Sequence, residues 1–285
     1  MKKLTVFCAA ACLAASAAAQ NHPDLHEVLD RQKGRNLIEI PKGTYTLDVR
    51  NNGPYKFHNL TDVHINGNGS TVICNNQEQA FSFYNCVRVE LRDLTIDYDP
   101  LCFTQGEITA VAEDGSWFDV RIDEGYPVTG LAANRVQFYD PQTRLLKRNS
   151  ITTYTSNYSA LKQLGHNLFR AVKNGTWSAG EQVGDLVVMD VKTDKPNAGV
   201  HTVMLNKCYN TKLENVTVYG SNTFSFFEKE GYANEYRNCV VDRGPMPQGI
   251  RPRLRSGNAD GIHSSQARKG PTVTGCKVGH NGDDC

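Results

Sequence analysis

The 285-residue sequence predicts an all-β chain wound as a parallel β-helix, a solenoid with an inserted small β domain and a short N-terminal capping helix. Three observations carry that expectation. A seven-residue phrase returns along the chain, and it vanishes over a long central stretch. The many Gly, Asn, Thr and Val residues favour strands and turns over helices.

The returning phrase reads LTDVHIN from Leu60, LRDLTID from Leu91, LENVTVY from Leu213, YRNCVVD from Tyr236 and VTGCKVG from Val273. Each copy runs apolar, polar, Asp/Asn/Gly, apolar, polar, apolar, polar. The third residue suits a tight bend, and the alternation after it gives a strand with one face inward. The step from Leu213 to Tyr236 is about two dozen residues, one turn of a solenoid whose coils stack on their neighbours. Aligning the copies places Val63, Leu94, Val216, Cys239 and Cys276 in one interior ladder. A β-sandwich would also give short strands, but not the return of this phrase.

Upstream, HPDLHEVLDRQ from His22 reads as a short amphipathic helix with Leu25, Val28 and Leu29 on one face, placed to cap the first coil. The following IEIPKGTY, with Ile38 and Ile40 inward and a Pro-Lys-Gly turn, is the first coil strand. Coils are thus expected over 20–101 and 201–285, with an inserted β domain over 102–200. Inside that stretch GEITAVAEDGSWFDVRID holds two alternating segments around Asp114-Gly115, a hairpin signal, and GDLVVMDVK from Gly184 is a further strand. Long coil loops are the alternative reading of the stretch.

The first residues pair Lys2 and Lys3 with an apolar run from Leu4 to Ala15 and then Ser16 to Ala19, a signal peptide over 1–19 with cleavage after Ala19. Export to the periplasm or the exterior is expected, with a lipid-anchored Cys12 as the rival reading. Nothing later is apolar enough for a membrane span. A net charge of +1, spread along the chain, supplies no field for nucleic acid. Without the signal, Cys74, Cys86, Cys102, Cys208, Cys239, Cys276 and Cys285 remain, with no CxxC pair and no matching His spacing. No metal or cofactor is expected, and Cys239 and Cys276 read as buried thiols.

Chemistry concentrates in GNADGIHSSQARKGPTVTGCKVGHNGDDC, Gly257 to Cys285. Residues one coil apart lie about one strand spacing, ~4.8 Å, from each other, so Asp260 can meet Asp283 and Asp284. Consecutive residues on a strand face opposite ways, so both members of the pair point outward only where the strand ends or bulges, which Gly282 allows. Like charges so clustered should raise at least one pKa, which suits a general acid. Taken singly, Asn-Ala-Asp-Gly and Asn-Gly-Asp-Asp are ordinary turn sequences.

Taken together they resemble the motif of the polygalacturonase-like glycoside hydrolases, an Asn-x-Asp-Gly segment followed one coil later by Gly-Asp-Asp-Cys. The matching residues are Asn258, Asp260 and Gly261, then Gly282, Asp283, Asp284 and Cys285. The separation is also similar to that of the α-1,3-galactosidases that remove blood-group-B-type galactose. Both families share the right-handed parallel β-helix. The resemblance implies an inverting hydrolase acting on oligo- or polysaccharide, with Asp283 as general acid and Asp260 and Asp284 sharing the base role on a water molecule. The inserted domain departs from polygalacturonases and resembles the galactosidases, which favours galactosides over galacturonan.

Asn258, His263 and His280 flank the acids as candidates for substrate contact. The run RPRLRS with Arg251, Arg253 and Arg255, followed by Arg268 and Lys269, is a candidate for binding carboxylate or sulfate groups, or else a solvated loop. Polygalacturonases carry a His segment and a basic segment on later coils, which are not present here, so a longer enzyme is expected. Two other classes remain: a β-helix lyase using Ca²⁺, and a non-catalytic surface β-helix that binds glycans without turnover.

Overall fold

A computed structural model of the chain describes residues 22–284, apart from 149, 151, 155–156 and 192–199. The expected signal peptide over 1–19, Cys12 and Cys285 lie outside the described residues. The described chain is almost entirely strand, in two parallel sheets and one antiparallel sheet.

The first parallel sheet takes in Leu37–Glu39, His64–Cys74, Glu90–Tyr98, Lys212–Val218, Glu235–Arg237 and Thr272–Thr274, with Thr44–Leu47, Val240–Val241 and Lys277–Val278 alongside. The second takes in Tyr55–His58, Phe81–Tyr84, Val203–Asn206, Phe226–Lys229 and Ile262–Ser265. Along the sequence the chain alternates between the two sheets, each return adding one strand beside the last. Side chains from both sheets meet in one apolar core that includes Ile65, Phe83, Leu91, Leu213 and Phe226. The helix Leu25–Asp30, capped by Asp24, adds Leu25 and Leu29 to that core. Ile38 and Ile40 are buried there as well.

The bend at the third position of the repeat is real. Asp93, Asn215 and Asn238 adopt φ of 56°, 53° and 51°, and Gly275 adopts 67°. Asp and Asn tolerate this left-handed region better than most residues. The Asn215 amide also donates to Asp93 Oδ1 at 2.9 Å, linking two successive bends.

The expected ladder holds for Leu94 and Val216, which pair, and for Cys239 and Cys276, which follow in the same register. Val63 is a correction. Ile65, not Leu60, lies opposite Leu91, so the phrase at Leu60 is out of register, and Ser70 takes the place beside Leu94. The phrase at Leu60 falls one corner earlier, where Thr61 bridges Val87 and Asp62 and Arg88 share the left-handed bend at φ 56° and 52°; further along, a bulge sets Gly67, Asn68 and Gly69 opposite the single residue Asp93. A Cβ at Gly67 would sit 2.4 Å from Asp93 O, so the bulge needs glycine there. Val63 is buried in a neighbouring position, whereas Cys276 is only partly buried.

Between the second and third long strands of the first sheet the chain builds a separate antiparallel sheet. Its strands are Phe103–Val111, Trp117–Ile122, Leu131–Tyr139, Thr153–Tyr154, Tyr158–Gln163, Leu168–Lys173 and Leu186–Val191. The Asp114-Gly115 turn joins the first two, with Gly115 at φ 72°. This sheet has its own apolar cluster, including Phe118, Phe138, Val187 and Met189. Its outgoing and returning ends are neighbours, because Phe103 pairs with Asp190 and the Val191 amide donates to Cys102 O at 3.3 Å. Among the described residues no helix is long and apolar enough to cross a membrane.

Candidate active site

The Asn-x-Asp-Gly segment occupies the corner where the chain enters the strand Ile262–Ser265, and the later acid pair lies against it. Three backbone bonds fix the alignment: Ser256 N–H to His280 O at 2.9 Å, Gly282 N–H to Gly257 O at 2.9 Å, and Gly261 N–H to Asp284 O at 3.0 Å. The segment bearing Asp260 and the segment bearing Asp284 therefore run side by side. A Cβ at Gly282 would stand 2.2 Å from Asn258 O, so glycine is what lets the two segments approach. Asp283, one residue from Asp284, accepts from Arg135 Nη2 at 2.7 Å. Asp283 and Asp284 are exposed, while the Asp260 side chain keeps 14 % of its surface.

Asp260 Oδ2 is 2.7 Å from His263 Nδ1. The imidazole of His263 is one layer of a column: it stacks parallel on Phe224 at 4.2 Å between centroids, and Phe224 stacks on His201 at 4.8 Å. Phe227 leans on both histidines, and the His201 Nδ1 lies 2.9 Å from Thr223 Oγ1. Burial, with the nearby His263 adding to it, depresses His201 to about 4, so its imidazole is neutral near pH 7. The column restrains the His263 ring and, through it, Asp260. His201, Phe224 and Phe227 were not expected from the sequence. The available signal was TFSFFEK, in which Phe226 points into the core and Phe227 stands on the outer face.

The antiparallel sheet forms the opposite wall. Arg135 Nη1 donates to Asn258 O while its Nη2 holds Asp283, so one guanidinium spans both acid-bearing segments. Gln137 Nε2 donates to Gly282 O at 2.8 Å. The Asn258 amide donates to Asp190 Oδ2 at 3.1 Å and Asn222 O at 3.0 Å, so it braces the corner and both its N–H bonds point to protein. Asp190 is buried, which pushes its carboxyl up, while Arg255 and Arg135 pull it down; the net direction is upward.

The arginine run reads differently in three dimensions. Arg255 is 0 % exposed and donates from Nη2 to Asp190 Oδ1 at 2.8 Å. Arg253 binds Asp97 through two 2.8 Å bonds, and Arg251 lies 3.3 Å from Glu107 and 3.2 Å from Asp123. Arg253 and Arg255 are buried and committed to carboxylates, whereas the Arg251 side chain stays 48 % exposed beside its partners. Arg251 and Arg255 pair with carboxylates of the inserted stretch, Arg253 pairs with Asp97 of the first parallel sheet, and Arg255 has no surface to offer a substrate. Arg268 is exposed but sits past the far end of Ile262–Ser265 from Asp260, beside Gly231. His280 turns to Asp242, 3.7 Å away, and burial with the adjacent Arg243 lowers it. Of the expected contact residues, His263 is the one whose side chain meets one of the three candidate acids, Asp260.

A polar pocket of about 350 Å³ lies elsewhere, lined by Glu107, Arg121, Asp123, Glu124, Asn167 and Arg251 among others. None of the three acids lines it, and Arg251 already pairs with two of its carboxylates. We therefore place the candidate site at the acid corner. Among the described residues no group of three or more His, Cys, Asp or Glu is arranged to hold a metal ion.

No protein-family model and no curated protein matches the chain. Among solved structures, the tailspike protein gp49 from Pseudomonas phage LKA1 is similar at 10% identity and a TM-score of 0.20, over 86% of this chain and 45% of that one. The chain thus spans less than half the length of that protein, and a likeness so slight carries no argument about what the chain does.

Proposed function

We propose that the protein is an exported glycoside hydrolase, its two parallel sheets wound as a right-handed β-helix capped by the helix Leu25–Asp30. The observation that carries this reading is the meeting of Asp260, Asp283 and Asp284 at one corner through the pairing of Gly257–Gly261 with Gly282–Asp284. In this mechanism Asp283 gives its proton to the glycosidic oxygen, and Asp260 and Asp284 draw a proton from a water that attacks the opposite face of the sugar. The anomeric configuration inverts, which requires about 6.5 to 9.5 Å between acid and base carboxyls. His263, held by the Phe224 and His201 column, keeps Asp260 oriented for the water.

The resemblance of the inserted domain to that of the galactosidases favours α-linked galactosides over galacturonan. The test is direct. The protein is incubated with an α-1,3-galactoside and with oligogalacturonides, and the first-formed anomer is followed by proton NMR. Release of a sugar with inverted configuration is expected. A retained anomer, or an unsaturated product that appears only with Ca²⁺, would overturn the reading in favour of other chemistry, and binding without turnover would place the chain among glycan receptors.

A further inference from the structure

Arg135 comes from the strand Leu131–Tyr139 of the antiparallel sheet, far in sequence from the acids. Its guanidinium side chain is only 10 % exposed, whereas Asp283 is 50 % exposed. A buried arginine with its fork aimed at a half-exposed carboxylate is pre-arranged: the cation is fixed by the fold, and the carboxylate comes to it. Its other arm reaches Asn258 O on the preceding coil, so the same group sets the distance between the two segments that bear the acids.

We propose that Arg135 is a positioning residue for Asp283, fixing the orientation of that carboxyl; this rests on the hydrolase reading above. Asp190 lies behind Asn258, and Arg255 is committed to Asp190. Arg135 is the cation that meets Asp283 itself. The antiparallel sheet is then a wall of the catalytic site, not an appendage.

The experiment compares the protein with Arg135→Met and Arg135→Lys, reading kcat and KM on one glycoside. Arg135→Met should lower kcat by about 10- to 100-fold, with a smaller change in KM, because a misplaced catalytic group of this kind loses rate more than binding. Arg135→Lys keeps the charge without the fork, so it should restore only part of kcat. Added guanidinium should recover rate in Arg135→Met alone. Asp283 can be hydrated when its partner is lost, so melting should change little; if Arg135→Met does not fold, Arg135→Lys still separates charge from geometry. An unchanged kcat in both variants of an active enzyme would overturn the role of Arg135 and leave the hydrolase reading standing. A parent protein that releases no sugar would overturn the hydrolase reading and this inference with it.

Discussion

Replacing Arg255 by Met is the perturbation that most sharply separates the structural account of the arginine run from a substrate-binding one. The side chains of Arg255 and Asp190 retain 0 % and 6 % of their surface. Removing the guanidinium leaves Asp190 Oδ1 without its 2.8 Å donor and Gln137 Oε1 without its 3.3 Å donor, with Asn258 the remaining amide on the carboxylate. Breaking a buried pair by deleting one partner costs about 3 to 5 kcal/mol, a large share of the roughly 5 to 15 kcal/mol that stabilises a domain. Urea unfolding followed by circular dichroism should show that loss in the midpoint. The double variant Arg255→Met with Asp190→Asn should recover part of it, since an amide tolerates the site better than an unpaired charge. An Arg255→Met protein within about 1 kcal/mol of the parent but weakened in glycan binding would refute the reasoning.

Three further outcomes follow from the packing. Val216→Asp should abolish folding, because a charge without a partner inside the first-sheet core costs several kcal/mol, and a native-like circular dichroism spectrum would contradict the assigned register. Gly282→Ala places a Cβ where Asn258 O lies 2.2 Å away, so the acid segments must part; a fall in activity with about 1 to 3 kcal/mol of stability lost is expected, read from turnover and urea midpoints together. His201 is depressed in the folded chain, so stability present above about pH 6.5 should drain away as pH falls towards 4, by at most about 3 kcal/mol, and His201→Asn should flatten that slope in unfolding measured at pH 7 and pH 4.5.

What was legible in the sequence was what is local. The alternation after each Asp, Asn or Gly bend is a short-range signal, and it located the strands of the first sheet from Leu91 onward. It failed at Leu60, because a bend followed by alternation also occurs at an earlier corner, where Thr61 bridges Val87 and Asp62 has φ 56°, so that copy was aligned to the wrong bend. The acid motif was legible because two turn-like segments recur one coil apart. Its surroundings were not. Arg135 meets Asp283, Arg253 meets Asp97 and Arg255 meets Asp190 across long stretches of chain, and nothing in RPRLRS records which carboxylates the fold will bring to it. The His201, Phe224 and His263 column was equally hidden, since its layers come from three separate stretches of chain and stack only once the second sheet is assembled.

The central claim, that the acid corner hydrolyses glycosidic bonds, is tested most directly by Asp283→Asn. The exposed side chain can be exchanged without disturbing the core, and an amide cannot deliver the proton that the leaving oxygen needs. Turnover of a natural α-galactoside should fall by about 10² to 10⁴, and by less on a glycoside whose leaving group departs without protonation, while circular dichroism stays that of the parent. An Asp283→Asn protein that hydrolyses the natural substrate at the parent rate would contradict the claim and return the acid pair to the status of a turn.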